Sequence, residues 1–322
     1  MRPFLTVLTT PIQSLPRRLY RLARSRARPF IKPGVPSPTV SSYPGHYSLV
    51  RSVVKGLTAI GADFNFNPAS FRQLARVVYA PANEALRQAA ELKRRGDIDK
   101  LVAGPVNALF PDECDGILRL EAIDWILVAS SWVCDFFRTE TPELVPKLRI
   151  STCGVDESFW TPSPRSRPRG TALVYWKSAP ESFYRDVRSR MERSGFVART
   201  IRYGDYRAED YREALDQADL AVFLSTFETQ GLALAEAWSM DVPTVVWDSQ
   251  GEAEWKGQVF RSGSSCPYLS EATGRTFRTL PDLDAAVSGI TTDRDRLHPR
   301  AWVLANMTDA ICARTLYDLL KQ

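Results

Sequence analysis

Paired metal ligands are absent from this sequence of 322 residues. Its five cysteines, Cys114, Cys134, Cys153, Cys266 and Cys312, are odd in number and scattered, with no pair at C-x-x-C spacing, and the two histidines, His46 and His298, stand far apart. That spacing argues against a structural zinc site and a disulfide scaffold, and suits reduced thiols in a cytosolic protein. No apolar run approaches the roughly 20 residues needed to span a bilayer. Arginines and prolines interrupt every apolar stretch after Leu5, so the start reads as a poor secretory signal. No period of roughly 20 to 50 residues recurs, which excludes solenoid and propeller architectures.

Acidic residues are missing from the first 62 positions, which hold ten basic ones: Arg2, Arg17, Arg18, Arg21, Arg24, Arg26, Arg28, Lys32, Arg51 and Lys55. The whole chain carries only +5, so the remainder is net acidic. Leu15, Leu19 and Leu22 recur at helical spacing among these arginines. An apolar stripe flanked by cations can lie on an anionic membrane surface; the alternatives are a solvated basic tail or a helix packed on the body. Nucleic acid is the less favoured partner, because the arm lacks interleaved stacking aromatics.

What remains is ordinary in composition and large in size. Apolar residues make up 44% and charged residues 25%, which excludes disordered and collagenous classes. The length exceeds what one core organises, so two domains are expected. Pro33, Gly34, Pro36 and Pro38 end the arm, and the compact fold is expected to begin near Thr39. Strand-like runs at 39–42, 62–66, 75–79, 100–103, 125–129 and 148–152 alternate with helical stretches such as 49–60 and 83–95. The polar stretch SPRSRPRG, 163–170, reads as a linker. Beyond it come strands at 172–176, 198–203, 220–224 and 244–247 with helices at 181–194, 208–217 and 232–239. Near-continuous apolar strands alternating with helices imply parallel sheets covered on both faces. The expected layout is a basic arm over 1–38, Rossmann-like domains over 39–162 and 163–295, and a C-terminal helix over 296–322. That helix is read from Trp302, Leu304, Met307, Ile311, Leu316 and Leu319 within 301–320.

The stretch DLAVFLSTFETQGLALAEAWSMDVPTVVWD, 219–248, carries the chemistry. A buried strand enters a loop at 225–231, and a helix opens near Leu232. Unpaired amides of Gly231, Leu232 and Ala233 at that helix start, with the helix dipole, can hold a diphosphate. Gly231 permits close approach of the backbone. Glu228 and Glu236 can then face one cleft from different depths, one toward a sugar and one toward a ribose diol. The bland alternative is an exposed loop acid and a helix-surface acid.

Two glutamates separated by seven residues, followed by Ala237 and Asp-Val-Pro-Thr-Val-Val, resemble the E-x7-E signature of retaining GT-B glycosyltransferases, especially glycosyltransferase family four. The resemblance implies two Rossmann-like doubly wound domains with an interdomain cleft. It implies that Glu228 contacts the donor sugar, that Glu236 binds the nucleotide ribose, and that the amides of Gln230, Gly231 and Leu232 hold the phosphates. Weaker likenesses at 41–66, 126–137 and 151–162 extend it over most of 39–320. They imply a loop containing Gly45 facing the donor, and His46 as a donor or acceptor contact, with a capping or loop histidine as the alternative.

The family's arginine and lysine five residues apart are not reproduced in VYWKSAPESFYRDVRSR. Lys177 stands where a phosphate-binding cation is wanted, and Arg185 is a remoter second choice. Specificity is expected around Tyr203 to Tyr206, and an acceptor contact in the loop 104–107. The D-x-D pairs, Asp282 with Asp284 and Asp293 with Asp295, follow the donor motif and read as helix-capping or solvated carboxylates. No metal and no cofactor are therefore expected beyond the nucleotide-sugar donor, itself a substrate.

The reading is a retaining, metal-independent transfer of sugar to a hydroxyl acceptor such as a saccharide, by a cytoplasmic protein or one peripheral to the membrane. The alternatives are a noncatalytic nucleotide-sugar-binding or carbohydrate-binding module and a nucleotide-sugar epimerase or hydrolase.

Overall fold

The computed structural model describes residues 2–12, 45–105, 108–164 and 169–322, with the backbone alone for 45–47. Contacts divide them into two compact units. The first comprises the described residues up to Ile12 together with Gly61–Leu127 and Pro146–Arg149; the second comprises those from Gly45 to Ile60 with Val128–Val145 and Ile150–Gln322. The division expected at 38, 162 and 295 is thus replaced by one in which the chain enters the second unit three times.

The first unit is built on a six-stranded sheet of β1 (Leu5–Val7), β2 (Phe64–Phe66), β3 (Val77–Ala80), β4 (Lys100–Ala103), β5 (Trp125–Val128) and β6 (Leu148–Ile150), in the order β2-β1-β3-β4-β5-β6. β1 pairs in parallel with β2 on one side and β3 on the other. This corrects the expectation that the fold starts near Thr39. Leu5, Thr6 and Val7 are fully buried, and Thr6 Oγ1 donates to Asn65 Oδ1 at 2.7 Å and accepts the Ala75 amide at 2.9 Å. The arginines and prolines beyond it hid a three-residue strand. The strand expected at 39–42 and the apolar stripe of Leu15, Leu19 and Leu22 lie outside the described residues.

Helix α2 (Asn83–Arg94) shows why such segments fold as they do. Ala85, Leu86, Ala89, Ala90 and Leu92 form its buried stripe, Glu84 complements the dipole in the first turn, and Lys93 and Arg94 complement it in the last.

The second unit has a five-stranded parallel sheet, β13-β10-β9-β7-β8. Its strands are β7 (Thr171–Trp176), β8 (Val197–Arg202), β9 (Leu220–Leu224), β10 (Thr244–Trp247) and β13 (Gly274–Phe277). Apolar clusters cover both faces: Tyr175, Tyr211, Phe223 and Trp238 belong to one, Val174, Val187, Leu220 and Val245 to the other. From β7 the chain runs first to β8 on one side, then to β9 on the other. The strand order therefore reverses between β7 and β9, the place where open parallel sheets leave a crevice at their carboxyl ends. An antiparallel hairpin absent from the sequence reading, β11 (Glu252–Trp255) with β12 (Gln258–Arg261), is inserted after β10.

The helix expected over 301–320 is two helices, α8 (Pro299–Asn306) and α9 (Asp309–Leu320). Thr308 breaks them apart by capping α9, its hydroxyl accepting the Ile311 amide at 3.2 Å. Helix α9 packs on α1 (Gly45–Ala59), which groups with the second unit. Gly56 makes that approach possible: a Cβ there would stand 2.6 Å from Ala313 Cβ and clash with the Asp309 backbone. Arg51 on the next turn donates to Asp309 Oδ2 at 2.8 Å. Gly56→Ala must push α1 off α9, and overpacking of this kind costs roughly 1–3 kcal/mol. Urea unfolding should show that loss, whereas Gly61→Ala, at a solvent-open glycine of φ 63°, should lose only the smaller cost of left-handed strain.

Candidate active site

The carboxyl ends of β7 and β9 are joined at the strand-order reversal. The amides of Lys177, Ser178 and Ala179 all point to the Leu224 carbonyl, at 3.2, 3.2 and 3.4 Å. This hook sets Lys177 above the loop 225–231. Lys177 Nζ donates to both Glu228 carboxylate oxygens at 2.9 Å, and Ser225 Oγ donates to Glu228 Oε1 at 2.7 Å. The Tyr203 ring, 47% exposed, lies 4.9 Å from the same ammonium group. A cation so placed can exchange one anionic partner for another at little structural cost.

Several main-chain polar groups of the loop are held from outside it. The Thr226 amide donates to Ser178 Oγ at 2.9 Å and its carbonyl accepts from Ser249 Oγ at 3.1 Å. The Glu228 amide donates to the Ser264 carbonyl at 3.0 Å, and the Glu228 carbonyl accepts from Trp132 Nε1 at 2.8 Å. Ser130 Oγ donates to the Thr229 carbonyl at 2.6 Å. The Gln230 side chain forms a two-way clamp with the Cys153 backbone, accepting its amide at 2.8 Å and donating to its carbonyl at 2.6 Å.

The pattern changes at Gly231. With φ 83° and ψ 55°, this residue turns the chain into α6 (Leu232–Ser239) and supplies no side-chain cap. Among the described residues, the amides of Gly231, Leu232 and Ala233 have no hydrogen-bond acceptor. Tyr211 anchors this first turn by donating to the Ala233 carbonyl at 2.8 Å. Amides converging at the positive end of a helix form a site for an anion.

Glu236 lies one turn further along α6 and is buried. Among the described residues no hydrogen bond reaches its carboxyl group. Burial pushes this carboxyl up to about 8, against the opposing pull of the Arg51 guanidinium. Tyr206 and Tyr211 are raised chiefly by burial and further by the charges of Glu236 and Glu228, so both acids border the same aromatic floor. Tyr206 shares a hydrogen bond of 2.9 Å with Tyr175 there.

The structure thus gathers Lys177, Tyr203, Glu228, Gly231, Leu232 and Glu236 in one unit. Gln230 differs in part from expectation: its side chain is occupied by Cys153, leaving only its main chain to face a ligand. Gly45, expected in a loop, is the first residue of α1, with His46 second, and the His46 side chain lies outside the described residues. Arg185 pairs with Glu181 on an exposed helix face at 2.5 Å. Asp282 caps its helix with Thr279, Asp284 pairs with Arg190, and Asp293 pairs with Arg275. Two residues of the loop 104–107, Val106 and Asn107, also lie outside the description. Sequence reasoning missed Ser130, Trp132, Ser178 and Ser264, which touch the loop from distant positions. Ser225, three residues before Glu228, was within reach of it.

Two parallel-sheet, Rossmann-like units define the class of fold, and comparisons agree. The structure is similar to Anabaena HepE in complex with UDP, at 12% identity and a TM-score of 0.59 over 100% of both chains. It is similar to the lipopolysaccharide outer core galactosyltransferase WaaB in its apo form, at 11% identity and a TM-score of 0.58 over 88% of this chain and 98% of that one. HepE in complex with UDP and glucose matches at 13% identity with a TM-score of 0.56, over 87% of this chain and 97% of that one. At such identities the likeness is one of fold, the GT-B arrangement. Residues 179–270 match the family model described as glycosyl transferases group 1. That stretch contains the whole of loop 225–231 and α6, so the candidate site lies within the part of the chain that matches this family model. No curated protein matches the sequence.

The Glu236 environment yields a pH test. Its carboxyl is raised in the folded state above the 4.5 of an unperturbed glutamate, so protonation stabilises the fold fully below about 4.5, and this contribution is lost as pH rises through about 8. The loss is on the order of 1.4 kcal/mol for each pH unit between the two values. Thermal melts of wild type and Glu236→Gln should therefore diverge progressively between these limits, the wild type losing ground. Parallel curves would show that Glu236 is ionised throughout.

Proposed function

We propose that the protein transfers a glycosyl unit from a nucleoside diphosphate sugar to a hydroxyl acceptor, with retention at the anomeric carbon and without a metal ion. The observation that carries this reading is the row of unoccupied amides at Gly231, Leu232 and Ala233 beside the Lys177–Glu228 pair. A diphosphate fits the amides and the helix dipole, and draws Lys177 toward its own charge. Glu228 then gains an open oxygen for sugar hydroxyls. Glu236, protonated at neutral pH, can both donate to and accept from a ribose diol.

In the chemical step the bond between the anomeric carbon and the diphosphate oxygen breaks. The leaving oxygen takes the proton of the acceptor hydroxyl, which bonds to the anomeric carbon on the same face. Lys177 and the amides stabilise the charge developing on the diphosphate. Orientation and electrostatics supply the rate, with no protein nucleophile required. Because the HepE complexes contain UDP, UDP is the first nucleotide to test, and the acceptor we favour is a saccharide.

We also read the protein as cytoplasmic and peripheral to an anionic membrane. Support comes from the odd, scattered set of cysteines without C-x-x-C spacing and from the basic arm; the arm beyond Ile12 lies outside the described residues. Among the described residues no helix is long and apolar enough to cross a membrane. Sedimentation with phosphatidylserine vesicles tests the arm: the full chain should pellet at low salt, and absence of binding overturns that part.

For the catalytic reading, UDP at 100 times its Kd should raise stability by about 2.7 kcal/mol. Glu228→Ala should keep most of that thermal shift while turnover of UDP-hexoses falls by about 100-fold or more. A wild type that binds UDP yet transfers nothing to any saccharide acceptor would make the protein a binding module instead.

A further inference from the structure

Resting on the reading of Glu228 as the donor-sugar contact, we propose that Trp132 is a positioning residue for that glutamate, with Ser130 as its auxiliary. Both belong to the start of α3 (Ser131–Glu140), and Trp132 lies 96 residues before Glu228 in the chain.

Trp132 meets the Glu228 backbone from two sides. Its Nε1–H donates to the Glu228 carbonyl at 2.8 Å. Its ring also lies flush against Gly263, where a Cβ would come within 2.9 Å of the Trp132 side chain. The next residue, Ser264, accepts the Glu228 amide at 3.0 Å. One indole therefore sets the carbonyl directly and supports the segment that sets the amide. Phe227 completes the clamp. Its ring packs edge-on to Trp132, Trp255 and Phe260, with centroids 6.4, 6.1 and 5.1 Å away, and Phe260 also meets Phe136 of α3 at 5.5 Å, so the β11–β12 hairpin and α3 pack together around it.

Ser130 points the same way. It occupies the N-cap of α3, where a serine side chain ordinarily accepts an amide of the first turn, yet it forms no cap bond and its hydroxyl donates to the Thr229 carbonyl instead. A residue needed only for helix stability would cap. Two consecutive loop carbonyls, Glu228 and Thr229, are thus held by one helix start, immediately before the amides proposed to take the diphosphate.

The division of labour follows from this geometry. The diphosphate would be held by amides after Gly231, outside the Trp132 clamp. The sugar contact is the Glu228 carboxylate, whose position depends on the clamped backbone. Releasing the clamp should slow the chemical step and leave nucleotide affinity in place, because small displacements of a catalytic contact act on rate.

The test is a double-mutant cycle of wild type, Trp132→Phe, Glu228→Gln and the double variant. Turnover would be measured with a panel of UDP-hexoses and a saccharide acceptor, UDP affinity by calorimetry, and folding by thermal melts. Trp132→Phe should lower kcat about 10-fold, the effect of one lost buried hydrogen bond, with UDP Kd unchanged within about 2-fold. On the residual rate of Glu228→Gln the same substitution should have no further effect, since coupled residues are non-additive. An unchanged kcat, or an equal loss in both backgrounds, overturns the proposal.

Should Trp132→Phe fail to fold, Ser130→Ala replaces it. It should give a smaller loss of kcat that again vanishes in Glu228→Gln, and an equal loss in both backgrounds is again contrary. A wild type with neither UDP binding nor turnover removes the function reading and this inference together. Full turnover in a well-folded Trp132→Phe removes the inference alone.

Discussion

The site depends on a contrast within one short loop. Between Thr226 and Gln230 the chain is held by partners from five separate segments, whereas at the helix start that follows three amides in succession have none among the described residues. A polar group away from water ordinarily finds a partner, so such a run at a helix start has value only if it remains where a ligand can reach it. The surrounding bonds supply that fixity. They hold the loop in the conformation that keeps the amides directed outward and the Glu228 carboxylate under Lys177.

The two glutamates share a floor of tyrosines but differ in their electrical situation. Glu228 has an ammonium and a hydroxyl for company, and its side chain keeps 14% exposure. Glu236 sits deeper, without such partners, and burial favours its neutral form. One acid, seated under an ammonium, is placed to hold hydroxyls from the loop. The other can act as donor and acceptor together, a combination matched to a vicinal diol. The same fold thereby obtains two chemical characters from one residue type by depth alone.

Much of this was legible from the amino-acid order where apolar runs are continuous. Lys100–Ala103, Leu220–Leu224, Thr244–Trp247 and Leu232–Ser239 fall where their composition puts them, because a parallel strand buried on both faces or a helix behind a glycine leaves a strong local signature. Glu228, Gly231 and Glu236 were singled out by their setting between that strand and that helix together with the resemblance to a family signature. The hairpin was not, since Glu252–Trp255 and Gln258–Arg261 mix charge with single inward residues, Ala253 and Phe260. Nor was β1, too short to stand out from its basic surroundings. Trp132 and Cys153 reach the loop across 96 and 77 residues, and a relation created by folding leaves no trace in local pattern.

The clamp between Gln230 and Cys153 reaches further than the loop. Cys153 precedes Gly154, whose lack of a side chain lets the chain lie directly on Asp309, and Val155 bridges to Thr308. Asp309 in turn is gripped by Arg51 on α1. Glycine contacts leave no side chain to yield like a spring, so the segment 153–155, the start of α9 and the middle of α1 form a stiff bracket. A tilt of α1 is therefore transmitted to Gln230 with little slack, and the orientation of that long helix becomes one of the coordinates that sets where the chain stands as it enters α6.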